Sequence, residues 1–257
     1  MSTSATQRPS PPADLAVSRL TKTLLIIPTY NEAGNITRLL QEVQAEGLED
    51  VQILIIDDNS PDGTGAIAEA LSKHMPLTVI HRAGKLGIGS AHRQGFAYAL
   101  TQGYGHVMTM DADFSHQPCY LRALLDKART ADVIVGSRYL PGGGLSGWSV
   151  TRRVITHTAH WLTTHALGLP QDCTGGLRLY DAAALRAIDF SQIRSEGYAF
   201  LIELLFHIRG QGFSIAELPI VINSRHTGES KISRIEILNA VKTLIRLSWH
   251  RVRRTPG

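Results

Sequence analysis

The chain has 257 residues, 43% of them hydrophobic, and carries 26 Lys and Arg against 22 Asp and Glu. This composition supports a sizeable buried core and excludes a largely disordered chain. No apolar run approaches the roughly 18 to 20 residues that a membrane-spanning helix needs, so we expect no transmembrane domain.

The N-terminal segment is rich in Ser, Thr and Pro and lacks the apolar centre of a secretory signal, so we expect a disordered tail over residues 1–20. Five apolar segments that indicate buried strands follow at 23–28, 51–57, 77–81, 106–111 and 132–137. In the first intervening stretch, one helical face is shared by Ile36, Leu39, Leu40 and Val43. This alternation predicts an α/β fold with a mainly parallel central sheet and helices on both faces.

Pro28, Tyr30 and Glu32 lie where the first strand meets its helix, with Asn31 as a candidate N-cap. An aromatic ring and a carboxylate suit a nucleobase or a ribose better than a phosphate. Neither of the Gly-rich phosphate-binding patterns follows this strand. The first strand end therefore predicts a nucleoside contact.

The second strand ends at Asp57 and Asp58, and a Pro-Asp-Gly turn follows. One acid is expected to order the turn, and the other to accept hydrogen bonds from a base or a ribose. Gly84, Gly87 and Gly89, ahead of the third helix, are interpreted as turn devices and not as a dinucleotide-binding loop.

Two acids, Asp111 and Asp113, follow the fourth strand and are separated only by the small Ala112. Both carboxylates can turn toward one cation, and Mg²⁺ or Mn²⁺ accepts such oxygen ligands while leaving positions for substrate phosphates. A helix cap or a turn is the alternative interpretation. Because a parallel sheet binds ligands beyond the carboxyl ends of its strands, we predict a metal-bound diphosphate here.

The pattern changes after residue 137. It predicts a Gly-rich loop at 138–149, helices at 151–168 and 195–212, and a short strand at 213–222. The basic side chains that a diphosphate needs come from this half, namely Arg138, Arg152, Arg153, Arg225 and Lys231.

In this order and spacing, the segments "IIPTYNE", "IIDDNSPDGT", "MDADFSH", "GSRY", "GLRLY", "SEGYAF" and "GESK" resemble dolichol-phosphate and polyprenol-phosphate mannose synthases, family 2 glycosyltransferases with the GT-A fold. The resemblance implies one GT-A catalytic domain over residues 21–250, with acceptor-side elements in 138–250. It implies inverting transfer of mannose from GDP-mannose to a polyprenyl or dolichyl monophosphate, with Mg²⁺ or Mn²⁺.

The resemblance also implies roles for individual residues. Contacts to the guanosine are implied for Pro28, Tyr30, Glu32, Ile56 and Asp58. Contacts to the diphosphate are implied for Asp111, Ala112 and Asp113, with Asp113 the firmer metal ligand. Contacts to the acceptor and donor phosphates are implied for Arg138 and Arg152, under a mobile loop that carries Arg225 and Lys231. Some relatives have Gln where this chain has Ser115, so the Ser hydroxyl or water would complete the metal coordination.

Residues 225–257 hold eight Lys or Arg against two acids, a balance that suits nucleic acid, anionic lipid or simple solubility. In the last segment, one helical face is shared by Ile235, Leu238, Val241, Ile245 and Trp249, with Lys242, Arg246 and Arg251 elsewhere. Such a helix can lie among lipid head groups or pack on the domain, and a membrane-anchoring partner protein is a further option. No nucleic-acid partner is expected.

The two cysteines, Cys119 and Cys173, match no metal or disulfide spacing and are interpreted as reduced thiols of a cytosolic protein. We therefore expect a peripheral enzyme at the cytosolic face of a membrane. One rival interpretation is a polyprenyl-phosphate glucosyltransferase, or another nucleotide-sugar transferase of the same fold. A more distant one is a non-enzymatic nucleotide-binding or scaffold subunit.

Overall fold

The computed structural model describes residues 22–224 and 234–254, so the tail expected over residues 1–20 lies outside the described part. In the first half, strands and helices alternate as β1 (Thr23–Thr29), α1 (Ile36–Ala45), β2 (Val51–Asp57), α2 (Thr64–Leu71), β3 (Leu77–His81), α3 (Ile88–Thr101), β4 (His106–Thr109), α4 (Tyr120–Lys127) and β5 (Val133–Ser137). All five predicted strands are present. β4 ends two residues before Asp111.

The second half is less regular. Its elements are β6 (Gly144–Ser146), α5 (Val150–Leu162), a π-helical turn (Thr163–Leu167), β7 (Arg178–Asp181), α6 (Ala182–Arg186), α7 (Ala199–Gly210), β8 (Ile215–Pro219), β9 (Val221–Asn223) and α8 (Arg234–Arg254). The strand predicted at 213–222 is thus two strands, which separate at Ile220.

The main sheet of the described residues has seven strands in the order β3, β2, β1, β4, β7, β5, β8. The pairs among β1, β2, β3 and β4 and the β5–β8 pair are parallel, whereas β7 runs antiparallel to both β4 and β5. A separate two-stranded sheet joins β6 to β9. The predicted α/β fold with a mainly parallel sheet is confirmed.

Each face of the sheet has its own buried apolar cluster because successive side chains of a strand point to opposite faces. Along β1, Leu24 belongs to one cluster and Leu25 to the other. α1 packs into the second cluster through the four residues predicted to share a face, Ile36, Leu39, Leu40 and Val43. Burying one such side chain contributes about 1.5–3 kcal/mol, so the two clusters hold the strand ends firmly.

Candidate active site

The acid pair lies on the loop between β4 and α4. The helix-cap alternative is wrong, because α4 begins at Tyr120 after Cys119, several residues beyond the acids. Asp113 does order its own loop, since its Oδ1 accepts a hydrogen bond from the Ser115 backbone N–H at 3.0 Å. Between them, Phe114 has a positive φ of 58°, which turns the chain sharply at this point.

Asp111 packs directly against the backbone at Gly176. A Cβ atom at that glycine would lie 2.7 Å from Asp111 Oδ1 and 2.9 Å from Oδ2. On its other side, Oδ2 is 3.6 Å from Nδ1 of the buried His116. Burial lowers the pKa of His116 to about 4, although the Asp113 carboxylate opposes the change, so the ring is neutral near pH 7.

A first cavity of about 470 Å³ opens beyond β1, β2 and β4. We call it the donor cavity. Of the predicted site residues, it is lined by Pro28, Tyr30, Glu32, Asp58, Asp111, Ala112 and Asp113. The structure does not bring Ile56 to this wall, because the Ile56 side chain is fully buried in the core. The predicted convergence of three strand ends on one rim is confirmed.

The loop after β1 differs from the prediction. α1 begins at Ile36, so Asn35 and not Asn31 stands at the N-cap position, and its side chain makes no capping hydrogen bond. Asn31 instead has a positive φ of 58° and donates its backbone N–H to Ser60 Oγ at 3.0 Å. This contact joins the first strand end to the loop of the second. The Asn35 side chain donates to Glu32 Oε2 at 2.7 Å.

The two acids at the end of β2, Asp57 and Asp58, have different partners. Asp57 orders the following turn, as one of the pair was predicted to do, by accepting from the Ser60 hydroxyl at 2.6 Å and the Ser60 backbone N–H at 2.9 Å. Asp58 accepts from Arg82 at 2.5 Å and from the Gly87 backbone N–H at 2.8 Å. Gly87 has a φ of +88°, which confirms its interpretation as a turn device.

The turn at Gly87 also brings Lys85 into the donor cavity, where its Nζ lies 4.2 Å from the centre of the Tyr30 ring. Lys85 was not among the predicted contacts. Its only signal in the sequence is its position in a Gly-rich loop after a strand.

A second, smaller cavity of about 170 Å³ lies on the other side of the acid pair, and we call it the acceptor cavity. Its polar lining includes Asp111, Asp113, Ser115, His116, Arg138, Arg152, Thr156, Thr174 and Asn223. Apolar side chains complete it, namely Trp148, Ile155, Ala159, Ile222 and Ala240. Asp111, Asp113 and Tyr198 line both cavities, so the acid pair stands at their junction.

Two residues outside the prediction hold the arginines of the acceptor cavity. Arg138 donates from Nε to Asp172 Oδ2 at 2.7 Å, and both side chains are buried. Asp172 is buried, which raises a carboxyl pKa, but Arg138 outweighs this and leaves the pKa below its usual value. Arg152 stacks its guanidinium 3.7 Å from the centre of the Trp148 ring. Its neighbour Arg153 instead donates to the Leu145 carbonyl at the surface.

Arg225 and Lys231 lie outside the described residues. Within the described part, α8 reaches the site through Asn239, which lines the donor cavity, and Ala240, which lines the acceptor cavity. α8 is held on the domain by Arg246, which donates to the buried Glu203 at 2.7 Å. α8 therefore contributes one residue to the lining of each cavity.

The carboxylate oxygens at the junction of the two cavities suit a divalent cation that is also coordinated by a substrate. Among residues 22–224 and 234–254, no group of three or more His, Cys, Asp and Glu side chains is arranged to hold a metal ion. Two carboxylates, here Asp111 and Asp113, are nevertheless what Mg²⁺ commonly takes from a protein when substrate phosphates fill other positions. Ser115 lines the acceptor cavity beside them.

This fold and site define a GT-A glycosyltransferase: a mainly parallel sheet with a donor cavity at its strand ends, and an acid pair facing a second cavity. Residues 24–189 match the family model described as glycosyl transferase family 2. Polyprenol monophosphomannose synthase from Mycolicibacterium smegmatis is 42% identical over 224 residues, which cover 86% of this chain and 84% of that protein. Undecaprenyl-phosphate mannosyltransferase from Micrococcus luteus is 41% identical over 214 residues, which cover 82% and 88%. The chain belongs to glycosyl transferase family 2.

Among solved structures, glucosyl-3-phosphoglycerate synthase from Mycobacterium tuberculosis, in complex with Mn²⁺, UDP and glucosyl-3-phosphoglycerate, has a similar fold. The TM-score is 0.66 at 18% identity, and the match covers 89% of this chain and 80% of that one. This likeness supports the fold alone. In the described part of the chain, no helix has the length and apolar content needed to cross a membrane.

Proposed function

We propose that this glycosyltransferase transfers mannose from GDP-mannose to a polyprenyl or dolichyl monophosphate, with inversion at the anomeric carbon and with Mg²⁺ or Mn²⁺. The observation that carries the proposal is the position of Asp111 and Asp113 at the junction of two chemically different cavities. The names of the two relatives, which combine mannose with a polyprenol lipid, support the same substrates.

The donor cavity suits a nucleoside diphosphate. Tyr30 offers a ring face to a base, and Glu32 and Asp58 offer carboxylate oxygens to base and ribose donors. Lys85, beside Tyr30, adds a positive charge within the same cavity. Arg225 and Lys231 remain proposed contacts on the loop before α8.

The acceptor cavity suits a phosphate that carries an apolar chain. Arg138 and Arg152 supply two guanidinium groups, which recognise phosphate oxygens with paired N–H donors. Ile155 and Ala159 of α5, with Ile222 of β9, continue the cavity as an apolar wall. A phosphate beside the arginines would direct its isoprenoid chain along that wall.

Little proton chemistry is required of the protein. The acceptor phosphate is already an anion near neutral pH, so no general base has to create the nucleophile. The mechanism therefore assigns no base role to His116, whose neutral ring lies 3.6 Å from Asp111 Oδ2. Arg138 and Arg152 would align the phosphate for attack on the anomeric carbon, and one direct displacement inverts that carbon.

Asp111 and Asp113 are the proposed ligands of the divalent cation, with the Ser115 hydroxyl or water beside them. When bound, the cation would offset the charge of the diphosphate and stabilise the departing nucleoside diphosphate.

We also propose that the enzyme acts peripherally at the cytosolic face of a membrane. α8 packs on the domain through the buried Leu244 and Leu247, yet it exposes Val241, Ile245 and Trp249 on its other side. α5 also exposes apolar side chains, namely Val150, Val154, Ile155 and Trp161. Trp beside basic side chains favours the interface of an anionic bilayer. Ile155 is both exposed on α5 and part of the acceptor cavity, which gives a membrane lipid a route to the site.

A donor panel tests the proposal. Purified protein would be incubated with Mg²⁺ or Mn²⁺, a short-chain polyprenyl phosphate, and GDP- and UDP-linked sugars. We expect turnover with GDP-mannose and a β-linked product. Preference for UDP-glucose would favour the glucosyltransferase alternative, and no transfer to polyprenyl phosphate from any donor would refute the proposal.

An aspartate pair tests the role of the acids. We expect Asp113→Ala to abolish transfer while the protein stays folded. Asp126→Ala, at an exposed position of α4, is the matched control and should retain activity. Near-normal turnover of Asp113→Ala at saturating metal would contradict the metal assignment.

A further inference from the structure

Trp148 lies at the entry to α5, where the chain fixes its first turn. Ser149 is the N-cap of this helix, and its hydroxyl accepts a hydrogen bond from the Arg152 backbone N–H at 3.4 Å. Arg152 is therefore in the first turn of α5, one turn from the Trp148 ring. This local geometry brings the long Arg152 side chain back across the indole.

Two guanidinium groups share that indole. The Cζ atom of Arg152 lies 3.7 Å from the ring centroid, and that of Arg138 lies 5.8 Å away. Both distances are within the roughly 6 Å over which the negative face of an aromatic ring attracts a cation, and Trp gives the strongest attraction. The buried indole N–H has no hydrogen-bond partner among residues 22–224 and 234–254. The ring face, and not the N–H, accounts for its contacts with the arginines.

A guanidinium group can be held in place by a carboxylate or by an aromatic ring, and the two differ in how much positive charge they leave for a bound phosphate. Arg138 is paired with the buried Asp172, so a carboxylate already offsets part of its charge. An aromatic ring holds a guanidinium group without cancelling the charge. Both guanidinium groups line the acceptor cavity, so the indole adds to what holds them there without lowering their charge.

We propose that Trp148 is a positioning residue of the acceptor site, whose indole ring holds the guanidinium groups of Arg152 and Arg138 for the acceptor phosphate. The inference rests on the proposed function, because it concerns the phosphate end of the same acceptor cavity. It assigns Trp148 no contact with the reacting atoms.

Steady-state kinetics with a short-chain acceptor in solution test the ring directly. Trp148→Leu removes the cation–π contacts. From the usual strength of such contacts, we expect the acceptor KM to rise by about 5- to 30-fold. Trp148→Phe keeps an aromatic face and should stay within about 5-fold of the parent protein. GDP affinity and Tm should change little in Trp148→Phe. An unchanged acceptor KM in Trp148→Leu, or equal losses in the Leu and Phe variants, would overturn the proposal.

A double-mutant cycle shows whether Trp148 acts through Arg152. Once Arg152 is replaced by Ala, further replacement of Trp148 by Leu should raise the acceptor KM by less than about 3-fold, because the ring then has only the more distant Arg138 to hold. If the fold-increase in acceptor KM of the double variant equals the product of the two single-variant increases, the ring acts independently of Arg152. That result would contradict the proposal.

Fluorescence separates this proposal from the function on which it rests. The chain has three Trp residues, so replacing Trp161 and Trp249 by Phe leaves Trp148 as the only indole. Inorganic pyrophosphate or a short-chain polyprenyl phosphate should change its emission saturably, and the Arg152→Ala variant should lose most of that change. If the parent protein transfers no sugar to polyprenyl phosphate, the proposed function fails, while a saturable pyrophosphate response would still support the positioning role. No response to either anion would overturn it.

Discussion

Replacing Gly176 by Ala should displace one carboxylate of the acid pair and little else. The added Cβ would lie 2.7 Å from Asp111 Oδ1, whereas an ordinary contact begins at 3.4 Å, so the carboxylate would have to move by roughly 0.7 Å. Gly176 itself is held in place, because its carbonyl oxygen accepts from the Thr109 hydroxyl at 2.6 Å. The side chain of Asp111 must therefore give way.

A displacement of about 1 Å at a catalytic centre can cost on the order of 100-fold in rate, so we expect kcat/KM to fall by about 10- to 100-fold. The concentration of Mn²⁺ needed for half-maximal activity should rise. Stability should change little, because an Ala at this position restricts the unfolded chain by about 0.4–1 kcal/mol and so offsets part of the local strain.

The assay is GDP-mannose-dependent transfer to a short-chain acceptor, measured across a Mn²⁺ titration, with Tm as the check on folding. Gly34→Ala is the matched control, since a Cβ at that glycine meets no atom within 4 Å. A Gly176→Ala enzyme with normal kcat/KM and a normal Mn²⁺ midpoint would refute the inference that Asp111 must occupy its present position.

Three further predictions concern buried ionisable side chains. Arg138→Ala should raise the acceptor KM by at least 10-fold while GDP affinity, measured by calorimetry, stays within about 3-fold; equal losses would contradict its assignment to the acceptor. Asp172→Asn removes the charge that pairs with Arg138, and breaking a buried pair costs about 3–5 kcal/mol, so a lower denaturant midpoint and impaired acceptor use are expected. Burial lowers the pKa of His92 to about 4 against 6.5 in the unfolded chain, so its neutral ring contributes stability above pH 6.5 that is lost as the pH falls towards 4. Denaturant unfolding should show this loss, up to roughly 3 kcal/mol from His92. His92→Phe should reduce the pH dependence by that amount and leave the part that comes from the similarly lowered pKa of His116; an unchanged slope would refute the assignment.

Local sequence patterns were sufficient for the elements that carry the donor side. Apolar runs of strand length and the shared face of α1 predicted the sheet and its helices, because alternation and helical periodicity are properties of neighbouring residues. The rule that ligands bind beyond parallel strand ends then brought Tyr30, Asp58 and Asp113 to one rim, as the structure confirms. Roles in binding GDP-mannose and metal came from the resemblance and remain proposals.

The sequence alone therefore determined the order of the elements, the rim formed by the strand ends, and the position of Asp111 and Asp113 beyond β4 on that rim. Only the tertiary structure decided that β7 runs antiparallel between β4 and β5, which brings Gly176 against Asp111. The tertiary structure also pairs Arg138 with Asp172, 34 residues away along the chain. It places the Ile56 side chain in the core, away from the wall of the donor cavity. The physical reason is that burial and charge pairing depend on which distant segments meet, and no pattern of neighbouring residues carries that information.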